Sequence, residues 1–340
     1  MTTIKDVAKL AGVSTATVSR ALNEPQKVGA RTRSRVLEAI EQTGYVANVM
    51  ASGFRRKRSG NILLLVPDIA NPFYSKIIKE IELGASKNGY RILLAETRQD
   101  EQEEQAYANL AVQRVADGII SLGAHIPFSN SDNRKTLDPK WPPLVMVCEY
   151  HGVIPVPAVV IDNCQAIMDI VNHLLGLGHR RIAYVGGPAE LSLCRDRERG
   201  FLTALQDANL QPVMPPVACD GFEVTHGRQA GTALLSAMNR PTAVVCASDE
   251  LAIGMMDAAR TLGLAVPDDV SVVGFDDIVY AGFTNPPLTT VRQPMADLGR
   301  CAIEMMLDIL QGKSPDPLRS VLPHQVVIRE SVKALNSQGV

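Results

Sequence analysis

The chain has 340 residues, which at about 150 residues per domain predicts two or three domains. Its 46% hydrophobic and 21% charged residues exclude collagen-like, coiled-coil and wholly disordered proteins. The net charge of −2 conceals an asymmetry: residues 1–60 hold 11 basic and 4 acidic side chains (+7), and the rest of the chain holds 23 basic and 32 acidic ones (−9). A basic head on an acidic body predicts a polyanionic partner for the head alone.

The sequence lacks the patterns of a membrane span, a secretion signal or a metal site. No apolar run reaches about 18 residues, so we expect no membrane partner. Lys5 and Asp6 stand where a signal peptide would need an apolar stretch, and we therefore expect a cytoplasmic protein. The 6 cysteines lack C-x-x-C spacing and the 6 histidines are scattered, so we expect reduced thiols, no bound metal and no cofactor.

Residues 3–44 predict three short helices. Thr3-x-x-Asp6 has the spacing of a helix start, and apolar residues then recur at helical spacing as far as Ala11. Gly12 suits a turn in the left-handed backbone region, and Ser14 is a good N-cap for a second helix over about 15–22. A third helix is predicted over about 30–43, with three arginines pointing outward: Arg31, Arg33 and Arg35.

The second helix has one arc that suits packing and one that suits DNA. At 100° per residue the packing arc holds Thr17, Val18, Ala21 and Leu22. The opposite arc holds Thr15, Ala16, Ser19 and Arg20. Small groups there let the backbone approach a base edge, and an arginine fork can bind guanine with about 1–3 kcal/mol of discrimination. An ordinary pair of surface helices remains the alternative at this point.

The segment after the third helix is basic and only weakly helical. Met50, Ala51 and Phe54 could form one short apolar face, which Gly53 weakens, and one or two turns alone are marginal in water. The pattern is typical of a segment that orders on DNA, with a basic linker as the alternative.

From residue 61 onward, apolar runs alternate with helical stretches, which predicts parallel sheets covered by helices. The strand-like runs are 62–66, 91–95, 118–122, 144–147, 158–161, 182–185, 243–246 and 270–274. The helical stretches are 73–88, 101–115, 164–177, 197–208, 226–238, 249–262 and 294–311. Two doubly wound lobes fit this number of strands better than one, and ligands of such sheets bind beyond the carboxyl ends of the strands.

Candidate ligand contacts follow these strands. Phe73 and Tyr74 offer a face for a flat ring or a sugar, and Phe222 could supply another wall. Arg197 could donate to hydroxyl groups, and the Asp276 carboxylate could accept from them. Each residue also has an alternative role: core packing for the three aromatic residues, a solvated run of charges for Arg197 and helix capping for Asp276. The loop after the first strand lacks the glycines of a dinucleotide or phosphate site, which argues against a Rossmann dehydrogenase or a P-loop enzyme.

The runs 4–8, 11–23 and Gly44-Tyr-x-x-Asn48 resemble the head of the lactose-repressor/galactose-repressor family of bacterial transcription regulators. The resemblance implies a homodimer that places one recognition helix per subunit in the major groove of a near-palindromic operator duplex. It implies base reading by Thr15, Ala16 and Arg20. Further DNA contacts are expected at Thr3, Ser14, Thr17, Ser19 and Asn23.

The same resemblance implies that paired hinge segments enter the minor groove and open a base step with an apolar wedge. The wedge position corresponds to Phe54, where the family usually has Leu, and Ala51 and Arg55 are expected to contact DNA beside it. Ala47 stands where the family usually has Pro. Both departures bear on the stability of the hinge and on the kink that it makes.

For the body, the resemblance implies two lobes similar to periplasmic sugar-binding proteins, with an effector between them and three chain crossings. The effector contacts carried over are Phe73, Tyr74, Glu149, Arg197, Phe222, Ser248 and Asp276. Asp249 is expected to order the helix that follows it. The expected divisions are a helix-turn-helix DNA-binding domain (1–46), a hinge (47–60), an N-terminal effector lobe (61–161 and 292–321) and a C-terminal effector lobe (162–291 and 322–340).

Several runs, including 66–69, 122–128 and 193–197, look like the cytidine-repressor branch of this family. That branch implies a nucleoside effector that relieves repression, although a plain sugar such as a pentose would use the same groups and corepression stays open. An enzyme using Asp276-Asp277 or Asp162 with a histidine, and a periplasmic receptor, are the rival classes. No G-x-S-x-G or H-E-x-x-H motif supports an enzyme. We therefore predict a repressor and no catalytic residues.

Overall fold

The computed structural model describes residues 2–45, 58–128, 141–150 and 154–335. The chain forms two units, Met1–Ser59 and Gly60–Val340, called the head and the body below and described separately. The head has three helices, α1 (Ile4–Ala11), α2 (Thr15–Asn23) and α3 (Ala30–Thr43). Their shared core consists of small and β-branched side chains: Val7, Ala8, Ala11, Val18, Ala21, Val36 and Ala39. The three helices agree with the predicted ones to within a residue. The predicted hinge face with Ala51, Phe54 and Arg55 lies outside the described residues.

The turn between α1 and α2 depends on a left-handed glycine. Gly12 has φ 62° and ψ 40°, and its backbone amide closes α1 on Ala8 and Lys9. The guanidinium of Arg35 donates to the carbonyl of Ala11, so α3 is tied to this turn. Arg35 is exposed as predicted, like Arg31 and Arg33, and its terminal nitrogen in addition has a structural partner.

The body contains two six-stranded sheets. The first has the order β11-β5-β4-β3-β1-β2 and is parallel throughout, and the second has the order β12-β10-β9-β8-β6-β7, with β12 antiparallel to β10. The strands are β1 (Asn61–Val66), β2 (Arg91–Glu96), β3 (Gly118–Ser121), β4 (Leu144–Val147), β5 (Ala158–Ile161), β6 (Ile182–Gly186), β7 (Val217–Ala218), β8 (Ala243–Cys246), β9 (Ser271–Asp276), β10 (Thr289–Arg292), β11 (Arg319–Leu322) and β12 (Gln325–Val327).

Helices cover both sheets, as parallel sheets with apolar faces require. They are α4 (Pro72–Lys87), α5 (Glu101–Val112), α6 (Asn163–Gly176), α7 (Ser192–Asp207), α8 (Val224–Leu235), α9 (Asp249–Thr261) and α10 (Met295–Leu310). The predicted helix at 197–208 starts five residues earlier in the structure, at Ser192. No helix in the described ranges is both long enough and apolar enough to cross a bilayer.

The chain passes between the two sheets three times, after β5, after β10 and after β11. α10 follows the second passage and packs on α4 and on strands of the first sheet, while β12 returns to the second sheet. Four strands, β7 and β10 to β12, were not among the predicted runs. They are short, and β11 alternates between exposed and half-buried residues, so their apolar signal is weak.

Candidate functional sites

The exposed arc of α2 carries the residues predicted to read bases. Thr15, Ala16 and Arg20 are exposed, whereas Val18 and Ala21 of the opposite arc are buried in the head core. Ser14 caps the helix by accepting from the backbone amide of Thr17 at 3.1 Å. The outward face of this helix is therefore free of bulky apolar groups, which allows close approach to a duplex.

The other head candidates take several positions. Thr3 is the N-cap of α1, and its backbone amide (2.8 Å) and hydroxyl (2.7 Å) donate to Asp6, which holds the pKa of that carboxyl below its usual value. The Thr17 hydroxyl lies 2.9 Å from that of Ser14, so this residue belongs to the cap. Ser19 is half-buried, and Asn23 is the last residue of α2.

A cleft of about 400 Å³ opens between the two lobes of the body. Loops at the carboxyl ends of strands line it: 67–74 after β1, 96–99 after β2, 220–223 after β7, and Glu250 at the start of α9. Tyr74 enters it from one lobe and Phe222 from the other. The volume is within the usual range of small-molecule sites, which is about 300–1,000 Å³.

Arg197 is buried rather than solvated, and it is not one of the residues that line the cleft. Its Nε donates to Asn163 at 2.8 Å and one terminal nitrogen donates to the carbonyl of Ala247 at 2.6 Å. The guanidinium lies 3.8 Å from the ring centre of Phe275, and its other terminal nitrogen lies 4.0 Å from Asp276. These contacts fix the fork in one orientation, and the alternative of a solvated charge run is wrong for this residue.

Asp276 ends β9 in a strained conformation. It is 7% exposed and has φ 111°, a region that costs a non-glycine residue about 1–3 kcal/mol. Its carboxylate accepts from Gln293 at 2.7 Å. Burial raises the pKa of this carboxyl to about 6, although Arg197 and Gln293 act in the opposite direction.

Two hydrogen bonds join the lobes beside the cleft. Ser192 donates through its hydroxyl to Glu149, and the Tyr150 hydroxyl donates to Asp196 at 3.2 Å. Glu149 is 3% exposed, and burial raises the pKa of its carboxyl. Its other carboxylate oxygen has no hydrogen-bond partner in the described part of the chain.

Three candidates have structural partners. Phe73 is 7% exposed and packs in the core beside Tyr74, with ring centres 5.1 Å apart. Ser248 caps α9 by accepting from the amide of Leu251 at 3.1 Å. Asp249 was expected to order this helix, which is wrong: its buried carboxylate accepts from Ile278 (2.8 Å) and Thr290 (2.5 Å), and so holds β10 and the loop after β9.

Residues 3–48 match the model of the bacterial regulatory proteins of the lacI family, and residues 171–332 match that of a periplasmic binding protein-like domain. The HTH-type transcriptional repressor CytR of Escherichia coli (strain K12) is 39% identical over 334 residues, which cover 98% of this chain and 97% of CytR. This chain belongs to the lacI family of bacterial regulatory proteins.

Two solved structures match most of the chain. The lac repressor dimer bound to operator and the anti-inducer ONPF is 26% identical, with a TM-score of 0.84 over 98% of this chain and 99% of that one. The complex of the transcriptional regulator CelR with cellobiose is 30% identical, with a TM-score of 0.71 over 97% and 100%. The predicted fold class, a helix-turn-helix head with two parallel-sheet α/β lobes, is confirmed.

This member of the lacI family is a DNA-binding transcriptional repressor similar to CytR. Its relatives are transcriptional regulators, which confirms that it is not an enzyme; the enzyme alternative is wrong. The sequence did not single out most of the cleft lining, notably Asp68, Glu96, Asp220 and Glu250. Their position next to strand ends was the available signal.

Proposed function

We propose that this repressor holds its operator until a nucleoside such as cytidine occupies the cleft and releases it. The observation that carries the proposal is the pair of aromatic rings, Tyr74 and Phe222, that line one cavity from opposite lobes. A base is flat and can stack on aromatic side chains, which contributes about 1–3 kcal/mol per base. The buried Arg197 and Asp276 suit the hydroxyls of a ribose.

On the DNA side, we propose that Thr15, Ala16 and Arg20 read base edges of a near-palindromic duplex. The exposure of all three on α2 supports this role. Additional contacts are proposed for Thr3, Ser14, Thr17, Ser19, Asn23, Ala51, Phe54 and Arg55, with Phe54 as the minor-groove wedge.

The assembly and location are proposed on the same basis. The lac repressor related in fold is a dimer on its operator, and we propose a homodimer for this chain, acting in the cytoplasm. We propose the division into head (1–46), hinge (47–60), N-terminal lobe (61–161 and 292–321) and C-terminal lobe (162–291 and 322–340). The membership of the strands in two sheets supports the lobe boundaries.

The effector residues are proposed in two groups. Tyr74, Phe222, Arg197 and Asp276 would contact the ligand, the first two as walls and the others as hydrogen-bonding groups. The second group, Phe73, Glu149 and Ser248, would border the site, with Glu149 offering its unpartnered oxygen.

A sugar is the second candidate effector, because CelR, 30% identical, is solved with cellobiose. Sugars also use aromatic, carboxylate and guanidinium groups. The two candidates differ in what Phe222 must do, since a base needs a second ring wall more than a pentose does.

Calorimetric titration of the full chain with cytidine, uridine, adenosine, ribose and cellobiose tests the proposal. We expect cytidine to bind, and Phe222→Ala to weaken it about tenfold or more. Leu202→Ala, on the exposed face of α7, serves as the control and should leave binding unchanged. Binding of cellobiose or ribose alone would favour the sugar candidate.

A gel shift with an operator selected from random duplexes tests the switch itself. We expect cytidine to lower the affinity for the selected duplex without changing the preferred sequence. Stronger retention in the presence of cytidine would show corepression, and the proposal of an inducer would then be wrong.

A further inference from the structure

The charged side chains that line the cleft are almost all acidic. Among its described lining residues are one guanidinium, Arg98, and five carboxylates: Asp68, Glu96, Asp220, Glu223 and Glu250. The Arg98 side chain is 78% exposed and lies 3.7 Å from Glu96, so its charge faces solvent and is shared with a carboxylate. The cleft therefore has a surplus of negative charge.

Both lobes contribute to this surplus. Asp68 and Glu96 follow β1 and β2 of the first sheet, whereas Asp220 and Glu250 belong to the other lobe. The pKa of Glu250 is raised to about 7, first by burial and then by nearby carboxylates that include Asp68 of the facing lobe. The negative groups are thus close enough across the cleft to affect one another.

A second feature indicates which ligand groups would be accepted. Glu149 is buried; its carboxyl accepts from the Ser192 hydroxyl and is near the Leu193 backbone amide, and its Oε1 atom has no partner of normal hydrogen-bond geometry in the described residues. Cys148, the residue before Glu149, belongs to the same core cluster as Tyr74, which lines the cleft. Buried acceptors are usually hydrogen-bonded, so this oxygen of Glu149 would favour a ligand that donates a hydrogen bond through a hydroxyl or an amino group.

The charge of the buried guanidinium near the cleft is already balanced. Arg197 lies 4.0 Å from the Asp276 carboxylate, and two of its nitrogens donate to Asn163 and to the carbonyl of Ala247, so it keeps N–H groups for a hydroxyl but no uncompensated charge for a phosphate. The first turn of α9 contains Glu250, which lines the cleft, so the amino end of this helix is not a free site for an anion. A phosphate would enter this cleft without a free cationic partner among the described lining residues.

We propose that the cleft selects its effector by charge: it takes an uncharged, hydrogen-donating ligand and rejects the phosphorylated form of the same molecule. This inference rests on the proposed nucleoside function and adds the residues that set its specificity. Asp68, Glu96, Asp220, Glu223 and Glu250 are the determinants of this rejection. The repressor would therefore respond to nucleosides and ignore nucleotides.

The size of the effect follows from Coulomb's law in a solvated cleft. Two unit charges about 7 Å apart in water change an affinity about threefold. Arg98 offsets one of the five carboxylates, and Glu250 is fully ionised only above its pKa of about 7, so at pH 8.5 the four net charges would lower the affinity for a monophosphate by about 80-fold or more, which corresponds to about 2.6 kcal/mol. Salt should reduce the effect, because these side chains are partly exposed.

Calorimetric titration of the full chain with four probes tests the inference: cytidine, cytidine 5′-monophosphate, ribose and ribose 5-phosphate. At pH 8.5 we expect each phosphorylated probe to bind about 80-fold more weakly than its uncharged parent. At this pH Glu250, whose pKa is about 7, is ionised, and Glu250→Gln should raise the affinity for the monophosphate about threefold relative to cytidine. Glu82→Gln, on the exposed face of α4, is the matched control and should change neither affinity.

The outcomes separate this inference from the function on which it rests. A monophosphate that binds within threefold of its parent would overturn charge selection and leave the ligand cleft intact. The ratio of the affinity for the monophosphate to that for cytidine should rise in Glu250→Gln and should depend on the salt concentration. Charge selection is also contradicted if either change is absent. No binding of any probe would overturn the proposed ligand class and this inference together.

Discussion

Replacing Asp276 by asparagine should stabilise the unliganded body while it weakens effector binding. Burial raises the pKa of this carboxyl from 3.8 to about 6, even with Arg197 nearby. The folded state then keeps a proton that the unfolded chain has lost, so stability falls as the pH rises from about 4 to 6. The difference between the two pKa values corresponds to about 3 kcal/mol above that window. Asparagine resembles the protonated form and does not incur this cost.

Urea unfolding followed by the fluorescence of Trp141, the single tryptophan, reports on the body. We expect the free energy of unfolding of Asp276→Asn to be about 3 kcal/mol higher than that of the wild type at pH 8, and about half that amount higher at pH 5. Calorimetric titration should show that the same variant binds cytidine about tenfold more weakly or worse, because a charge-assisted acceptor is lost.

The neighbouring Asp277 is a matched control with the opposite sign. Burial alone would raise the pKa of Asp277, but Arg329 and Arg292, each at 2.6 Å, outweigh it and hold the pKa below its ordinary value. Asp277→Asn should therefore lower the stability at pH 8. A loss of stability in Asp276→Asn at pH 8, or a gain that does not change with pH, would refute the reasoning.

Three further substitutions test separate parts of the molecule. Arg20→Ala should relax the choice of operator by about 1–3 kcal/mol in competition gel shifts, and a changed cytidine affinity would contradict separate sites. Gly12→Ala should destabilise the head by about 1–2 kcal/mol, because the φ of Gly12 is 62° and an added Cβ would lie 2.8 Å from the Arg35 side chain. Hydrogen exchange of the α1 amides measures this loss, and unchanged exchange rates would contradict it. Tyr150→Phe removes the hydroxyl that donates to Asp196, so the affinity for cytidine measured by calorimetry should fall about fivefold. An unchanged affinity would show that this hydrogen bond does not hold the lobes together.

The head could be predicted closely because its signals are local. Capping residues, a left-handed glycine and a 3.6-residue apolar period lie within a few positions of one another. What the sequence did not show was the long-range bond from Arg35 to Ala11, 24 residues apart. A pattern of exposed arginines on a helix gives no information about such a partner.

The body was predictable where strands are buried on both faces. β3, β4 and β8 are buried at every residue and β1 at all but its first, whereas β7 has two residues and β12 is partly exposed. Edge strands of this kind lack a strong apolar period, and their place depends on neighbours distant in the chain. The third crossing of the chain was expected from the family resemblance, and the strands β11 and β12 that flank it were not predicted.

The burial of Arg197 could have been inferred from periodicity. On α7 the buried residues Cys194, Arg197 and Phe201 share one face, while Arg195 and Arg199 are exposed. The acidic lining of the cleft could not have been inferred in this way. Its carboxylates come from separate loops that only the folded sheets bring together.

The contacts across the cleft suggest why a small ligand suffices to change its state. The bonds from Ser192 to Glu149 and from Tyr150 to Asp196 join the lobes, each with a net contribution of about 1 kcal/mol. The carboxylates that face each other across the cleft oppose closure by a comparable amount. An open and a closed arrangement of the lobes would then differ in free energy by only a few kcal/mol. A ligand shifts such an equilibrium by the difference between its affinities for the two states. Coupling of about 1–3 kcal/mol, typical of allosteric proteins, is enough to change operator affinity about 5- to 150-fold. Under the proposed function, a donating, uncharged ligand would supply that difference by bonding acceptors from both lobes.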